Sequence, residues 1–164
     1  MAKELYIRPA TEADVPLIFR FIRELAQYER LEHEVIATEE LLRATLFGSP
    51  RFAEVLIAEV DADPVGFALF FHNYSTFLGR PGIYLEDLYV RPELRGRGYG
   101  RALLARLASI AQERDCGRLE WAVLNWNEPA IRFYRSLGAK PMDHWTVYRL
   151  IGEPLDALAR EEHS

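Results

Sequence analysis

At 164 residues the chain is sized for one domain, and 49% hydrophobic with 27% charged residues is ordinary for a soluble globular protein with a sizeable core. A net charge of −5 argues against a nucleic-acid partner, which calls for a basic surface. Cys116 is the one cysteine, so no intrachain disulfide is possible, and no apolar run approaches membrane-spanning length.

In chain order, Leu5–Arg8 reads as a short strand. Thr11, with an acid at Asp14, reads as the cap of a helix whose Leu17, Ile18, Phe21, Ile22 and Leu25 recur at helical spacing. Pro16 falls in its tolerant first turn. Thr38 caps a second helix that ends near Gly48-Ser49-Pro50. Ala53–Val60 and Val65–Tyr74 form a hairpin about a turn at Asp61–Pro64. Gly82–Val90 is the central strand. A helix follows from Tyr99 or Gly100 to about Arg114, closed by Gly117, and then a strand over Leu119–Leu124. Asn127 caps a helix with Pro129 in its first turn and Gly138 at its end. A last strand is predicted over His144–Leu150, with Pro154–Arg160 a short helix or a tail. No linker or repeat interrupts residues 1–164, read as a single domain. The N-terminus carries no apolar leader, so the cytoplasm is the expected location and no membrane partner is expected. The four histidines, His33, His72, His144 and His163, are scattered, and no metal is expected.

Arg95-Gly96-Arg97-Gly98-Tyr99-Gly100 lies between the central strand and the next helix. Glycines let backbone N–H groups approach a ligand, and a helix N-terminus favours negative charge, so this is a phosphate or pyrophosphate site. No Lys-Ser or Lys-Thr follows, which disfavours a nucleoside triphosphate loop. A dinucleotide fingerprint needs one more residue between the second and third glycines, although Glu120 lies at a suitable distance for a ribose partner. A plain glycine-rich turn is the remaining alternative from this loop alone.

Arg95-x-x-Gly98-x-Gly100 resembles the acetyl-CoA pyrophosphate loop of the GNAT N-acetyltransferase superfamily. Asn127-x-x-Ala130-x-x-Phe133-Tyr134-x-x-x-Gly138-Ala139 resembles that family's second signature, in the right order. Ile7-Arg8-Pro9-Ala10-Thr11, Glu24-Leu25-Ala26-x-Tyr28-Glu29, Tyr84-Leu85-Glu86-Asp87 and Trp126-Asn127-Glu128-Pro129 are similar to the spermidine/spermine (diamine) and thialysine acetyltransferase branch.

The resemblance implies an α/β GNAT fold. Its order is β-α-α-β-β-β-α-β-α-β, a mixed, mostly antiparallel sheet of six to seven strands with helices on both faces. It implies acetyl transfer from acetyl-CoA to a primary amine of a diamine, polyamine or thialysine-like amino acid, by a homodimer. Glu86 is then the candidate for steering or deprotonating the amine, directly or through water, and Tyr134 for protonating the departing thiolate. In a regular strand Glu86 and Asp87 point to opposite faces, so at most one meets the substrate, unless a bulge intervenes. Cofactor contacts fall to Leu88, Tyr89 and Val90 through their backbone, to Arg95, Gly96, Arg97, Gly98, Tyr99, Gly100 and Arg101, and to Asn127, Pro129, Ala130 and Tyr134. Tyr28, Glu29, Glu86 and Asp143 match positions that meet the cationic substrate. Two rivals stay open: a GNAT enzyme for another acceptor, such as an amino acid, an aminoglycoside or a protein amine, and a non-catalytic CoA-binding module.

Overall fold

The computed structural model describes residues 3–162. His163, one of the four histidines, and the first two residues of the expected leader-free N-terminus lie outside the described residues. The chain forms two compact units, Met1–Leu124 and Asn125–Ser164.

In the first unit a five-stranded sheet runs in the order β1 (Leu5–Pro9), β2 (Glu54–Val60), β3 (Asp63–Ser75), β4 (Arg80–Val90), β5 (Leu119–Trp121). The first three pairings are antiparallel and β4 with β5 is parallel, so the sheet is mixed. Helices α1 (Val15–Tyr28), α2 (Glu39–Phe47) and α3 (Tyr99–Glu113) flank it. Val15, Ile18, Phe21 and Leu25 line one face of α1 and pack on Val55, Ile57, Phe67, Leu69 and Tyr89. Strand alternation sends Leu56 to the opposite face, where it shares a cleft with Phe70 and with Ile110 of α3. The stripe Leu103, Leu107 and Ile110 buries that side of α3.

Local chemistry sets the ends of these elements. Thr11 caps a single 3-10 turn, Glu12–Asp14, ahead of α1, and the Asp14 carboxylate accepts its backbone N–H at 2.7 Å. Arg8 reaches both Asp14 (2.7 Å) and Glu59 (2.8 Å), tying β1 to the start of α1 and to β2. Thr38 Oγ1 accepts the Leu41 N–H at 3.1 Å, as its position predicts. Asp61 and Ala62, both at positive φ, make the tight turn between β2 and β3. Gly117 does not close α3. The left-handed residue after that helix is Asp115 (φ 55°), a type whose short polar side chain tolerates this conformation, while Gly117 donates to the Pro81 carbonyl at 3.0 Å.

The second unit holds α4 (Glu128–Ser136) and α5 (Glu153–Glu161). Asn127 Oδ1 accepts the Ala130 N–H at 3.4 Å, and Gly138 (φ 87°) closes α4. The C-terminal segment resolves into the helix α5. The strand predicted over His144–Leu150 is not formed: the segment is exposed coil, with Trp145 N–H donating to Met142 O in a local turn. Alternating aromatic and β-branched residues there satisfy strand propensity, but a strand also needs a ladder neighbour. The sheet therefore has five strands among the described residues, fewer than the six to seven expected, and β5 stops at Trp121 rather than Leu124.

Candidate active site

The pairing of β3 with β4 carries one register shift. Leu69 lies opposite Asp87 and Phe70 opposite Leu85, so Glu86 is an extra residue with no partner of its own. This is a β-bulge, which bends a strand and re-aims side chains. It removes the alternation that would send Glu86 and Asp87 to opposite faces. Asp87 lies across from Leu69, which faces α1, and Glu29 caps the C-terminus of that helix.

The three carboxylates feel one another. Burial, and then the Glu86 charge, raise the Glu29 carboxyl above the usual range. Burial first, then Glu86 and Glu29, push the largely buried Asp87 from 3.8 up to about 7. A carboxyl in such company resists ionisation until a cation arrives to pair with it. Among the described residues no group of acids, histidines or cysteines is arranged to hold a metal. The sequence pattern puts Tyr28, Glu29, Glu86 and Asp143 at the substrate but not Asp87, because the bulge that gathers it has no sequence signal beyond two adjacent acids.

Beyond the bulge, β4 offers an open edge. β5 pairs only with Ile83–Leu85, so along Leu88, Tyr89 and Val90 that edge has no strand neighbour among the described residues. Its backbone groups are of the kind that pair with an extended amide ligand. The Tyr89 side chain is committed to the core, 3% exposed, with its ring centroid 5.5 Å from that of Phe21. Burial and the Glu24 carboxylate, which accepts its hydroxyl, push that phenol up to about 12.

The glycine loop follows. Gly96 (φ 79°) and Gly98 (φ 86°) are left-handed, and the space where a Cβ would stand is open at both. Gly98 is the N-cap of α3 and no side chain caps it. The first-turn N–H groups of Tyr99, Gly100 and Arg101 thus have no intrahelical acceptor, which is the chemistry of an anion site. A Cβ on Gly100 would stand 3.8 Å from Val90 Cγ2, so this glycine lies close to the strand end. Arg97 and Arg101 are exposed. Arg95 is exposed too, but its Nε donates to the Val90 carbonyl at 3.1 Å and its guanidinium lies 4.4 Å from the centroid of the Tyr28 ring.

In the second unit Tyr134 lies on α4 with its ring centroid 5.6 Å from that of Phe133, and Ala139 N–H donates to its carbonyl. Asn127, Pro129 and Ala130 form the cap and first turn of α4. Asp143 is exposed in the coil before α5. A cavity of about 170 Å³ lies in the first unit between α2, β2 and α3 and is lined by none of these candidates.

A sequence model of the Acetyltransferase (GNAT) family matches residues 18–139. A thialysine N-epsilon-acetyltransferase from Bos taurus is 42% identical over 164 residues, covering 93% of this chain and 96% of the relative. An L-ornithine N5-acetyltransferase from Arabidopsis thaliana is 33% identical over 197 residues, covering 93% of this chain and 86% of the relative. Among solved structures, an integron cassette protein from the mobile metagenome of V. cholerae superposes with a TM-score of 0.80 at 28% identity, over 97% of this chain and 99% of its own. The family's co-substrate is acetyl-CoA, and the uncapped N–H groups of α3, the open glycines and the free edge of β4 are a donor set that fits its pyrophosphate and amides. The chain belongs to the GNAT acetyltransferase family and is an N-acetyltransferase.

Proposed function

We propose that this enzyme, acting as one domain over residues 1–164, moves the acetyl group of acetyl-CoA directly to the terminal primary amine of a small cationic acceptor: a diamine, a polyamine or a thialysine-like amino acid. The observation that carries the reading is the gathering of Glu29, Glu86 and Asp87 at the β4 bulge. Three carboxylates in one electrostatic neighbourhood are costly unless cations pair with them. The names of the two relatives above share that chemistry, a terminal amine on a short cationic chain.

An alkylamine has a pKa of about 10.4, so at neutral pH fewer than about one molecule in a thousand is ready to attack. Glu86 takes the amine proton, directly or through a water, and Glu29 with Asp87 holds a distal ammonium. Asp143 assists on the same substrate. Backbone N–H groups of Leu88–Val90 stabilise charge on the thioester oxygen. The loop Gly96–Arg101 holds the pyrophosphate, with Asn127, Pro129 and Ala130 along the pantetheine. The Tyr134 phenol donates its proton to the departing sulfur.

A screen of thiol release from acetyl-CoA tests this, with thialysine, ornithine, putrescine, spermidine, an aminoglycoside and an N-terminal peptide as acceptors. The proposal predicts turnover with one or more of the first four and little with the others. Preference for the aminoglycoside or the peptide moves the enzyme to another acceptor. CoA binding with no turnover on any amine makes it a binding module.

A further inference from the structure

We propose that Arg95 is a positioning residue, a clamp that joins the glycine loop to the amine-site end of α1 through Tyr28, rather than a side-chain ligand of the pyrophosphate. The inference rests on the reading above that this loop holds acetyl-CoA. Arg95 opens the loop, and a phosphate ligand would aim its guanidinium at the N-terminus of α3. Instead the planar group lies 4.4 Å from the centroid of Tyr28, the last residue of α1, and 6.0 Å from that of Tyr89 on β4. Its Nε closes the arrangement by donating to the Val90 carbonyl at 3.1 Å.

The chain around Arg95 explains why a clamp is needed there. Arg91 fixes the near side of the junction, pairing with Glu93 at 2.7 Å and Asp63 at 3.4 Å, and a 3-10 turn over Pro92–Leu94 leads into Arg95. Beyond it come Gly96 and Gly98, both left-handed, where the backbone has the most freedom to lose. Arg95 is the last side chain able to hold the chain before those glycines. A guanidinium suits the task, because its flat face stacks on an aromatic ring while its edge donates in plane.

Two consequences follow. Arg97 and Arg101, exposed on the loop and the first turn of α3, are left to supply side-chain charge to the phosphates. One face of Tyr28 is covered by a cation already, so the substrate ammonium relies on the carboxylate of its neighbour Glu29. Tyr28 then belongs to both half-sites, and truncating it disturbs the cofactor loop as well as the amine pocket.

The test uses the whole chain and needs no acceptor amine: CoA affinity by calorimetry, and hydrogen exchange of residues 96–101 in the ligand-free protein, for Tyr28→Phe, Tyr28→Ala, Arg95→Lys, Arg95→Ala and the double alanine variant. A clamp predicts about three- to tenfold weaker CoA binding and faster loop exchange in Tyr28→Ala, Arg95→Ala and Arg95→Lys, since lysine keeps charge but loses the flat stack and the Nε donor. Tyr28→Phe should stay near the parent, and the double variant should be no weaker than the worse single variant. Arg95→Lys near parent affinity, Tyr28→Ala with unchanged loop exchange, or additive losses in the double variant would each overturn the clamp. If either alanine variant fails to fold, Arg95→Lys and Tyr28→Phe decide alone. If the parent binds no CoA, the cofactor assignment falls, and the exchange rates still judge the clamp.

Discussion

Asp87→Asn tests whether the β4 bulge holds a carboxyl that resists ionisation. The folded chain raises Asp87 from 3.8 to about 7, through burial first and then the charges of Glu86 and Glu29. Unfolding returns it to its ordinary value. Between those two values the folded chain keeps a proton that the unfolded chain has lost, so this group's contribution to stability is full below the lower value. It declines as pH rises and is lost above the higher one. At 1.36 kcal/mol per pH unit the ceiling is about 4 kcal/mol. Asp87 is largely but not fully buried, and relaxation of its two acidic neighbours, with some entry of water, lowers the expectation to about 2 kcal/mol. Asparagine keeps the shape and cannot ionise. The variant should therefore gain on the parent by about 2 kcal/mol between about pH 4 and about pH 8.5. Urea unfolding at both pH values, read by tryptophan fluorescence with slopes compared, measures this. A difference between parent and variant that is the same at both pH values, or that grows in favour of the parent as pH rises, would mean that folding does not raise the Asp87 carboxyl.

Three other predictions follow from the same geometry. Phe21 is fully buried, its ring centroid 5.6 Å from that of Phe67 and 5.5 Å from that of Tyr89, so Phe21→Ala should cost about 3–5 kcal/mol in urea unfolding. A loss under about 1 kcal/mol would mean that α1 does not seat the sheet through this residue. Gly98→Ala places a Cβ at φ 86° in open space, so the penalty is conformational, about 1–2 kcal/mol, and CoA affinity should fall more than overall stability does. Equal CoA affinity in calorimetry would count against the loop as the anion site. Tyr134→Phe should lower turnover by more than about tenfold, the scale of one proton-transfer group, while leaving CoA affinity near the parent's; unchanged turnover would remove the tyrosine as acid.

Much of this architecture is legible in the sequence because it rests on local chemistry. Thr38 and Asn127 cap their helices from side-chain oxygens, and Gly98 sits where only a left-handed residue opens α3. The stripe Ile18, Phe21 and Leu25 declares the buried face of α1. What was not legible depends on partners far away in the chain. His144–Leu150 carries strand-forming residues yet remains coil, because propensity does not supply a ladder neighbour. The bulge at Glu86 is a mismatch between two strands, and neither strand alone records it. That one inserted residue converts two adjacent acids from opposite-facing to neighbouring, and so brings Asp87 into the site. The sequence places Arg95 in the phosphate loop, and only the fold shows its guanidinium 4.4 Å from the centroid of the Tyr28 ring.

Carboxylates at the bulge are proposed to select a cationic acceptor. The ratio of kcat/KM for 1,5-diaminopentane to that for 1-aminopentane, in the parent and in Glu29→Gln with acetyl-CoA saturating, reads that selection. The parent should favour the diamine by about 10- to 100-fold, the range of one charge-assisted hydrogen bond, and Glu29→Gln should lose most of that preference. Equal rates for the two amines in the parent, or a preference that survives intact in Glu29→Gln, would contradict it.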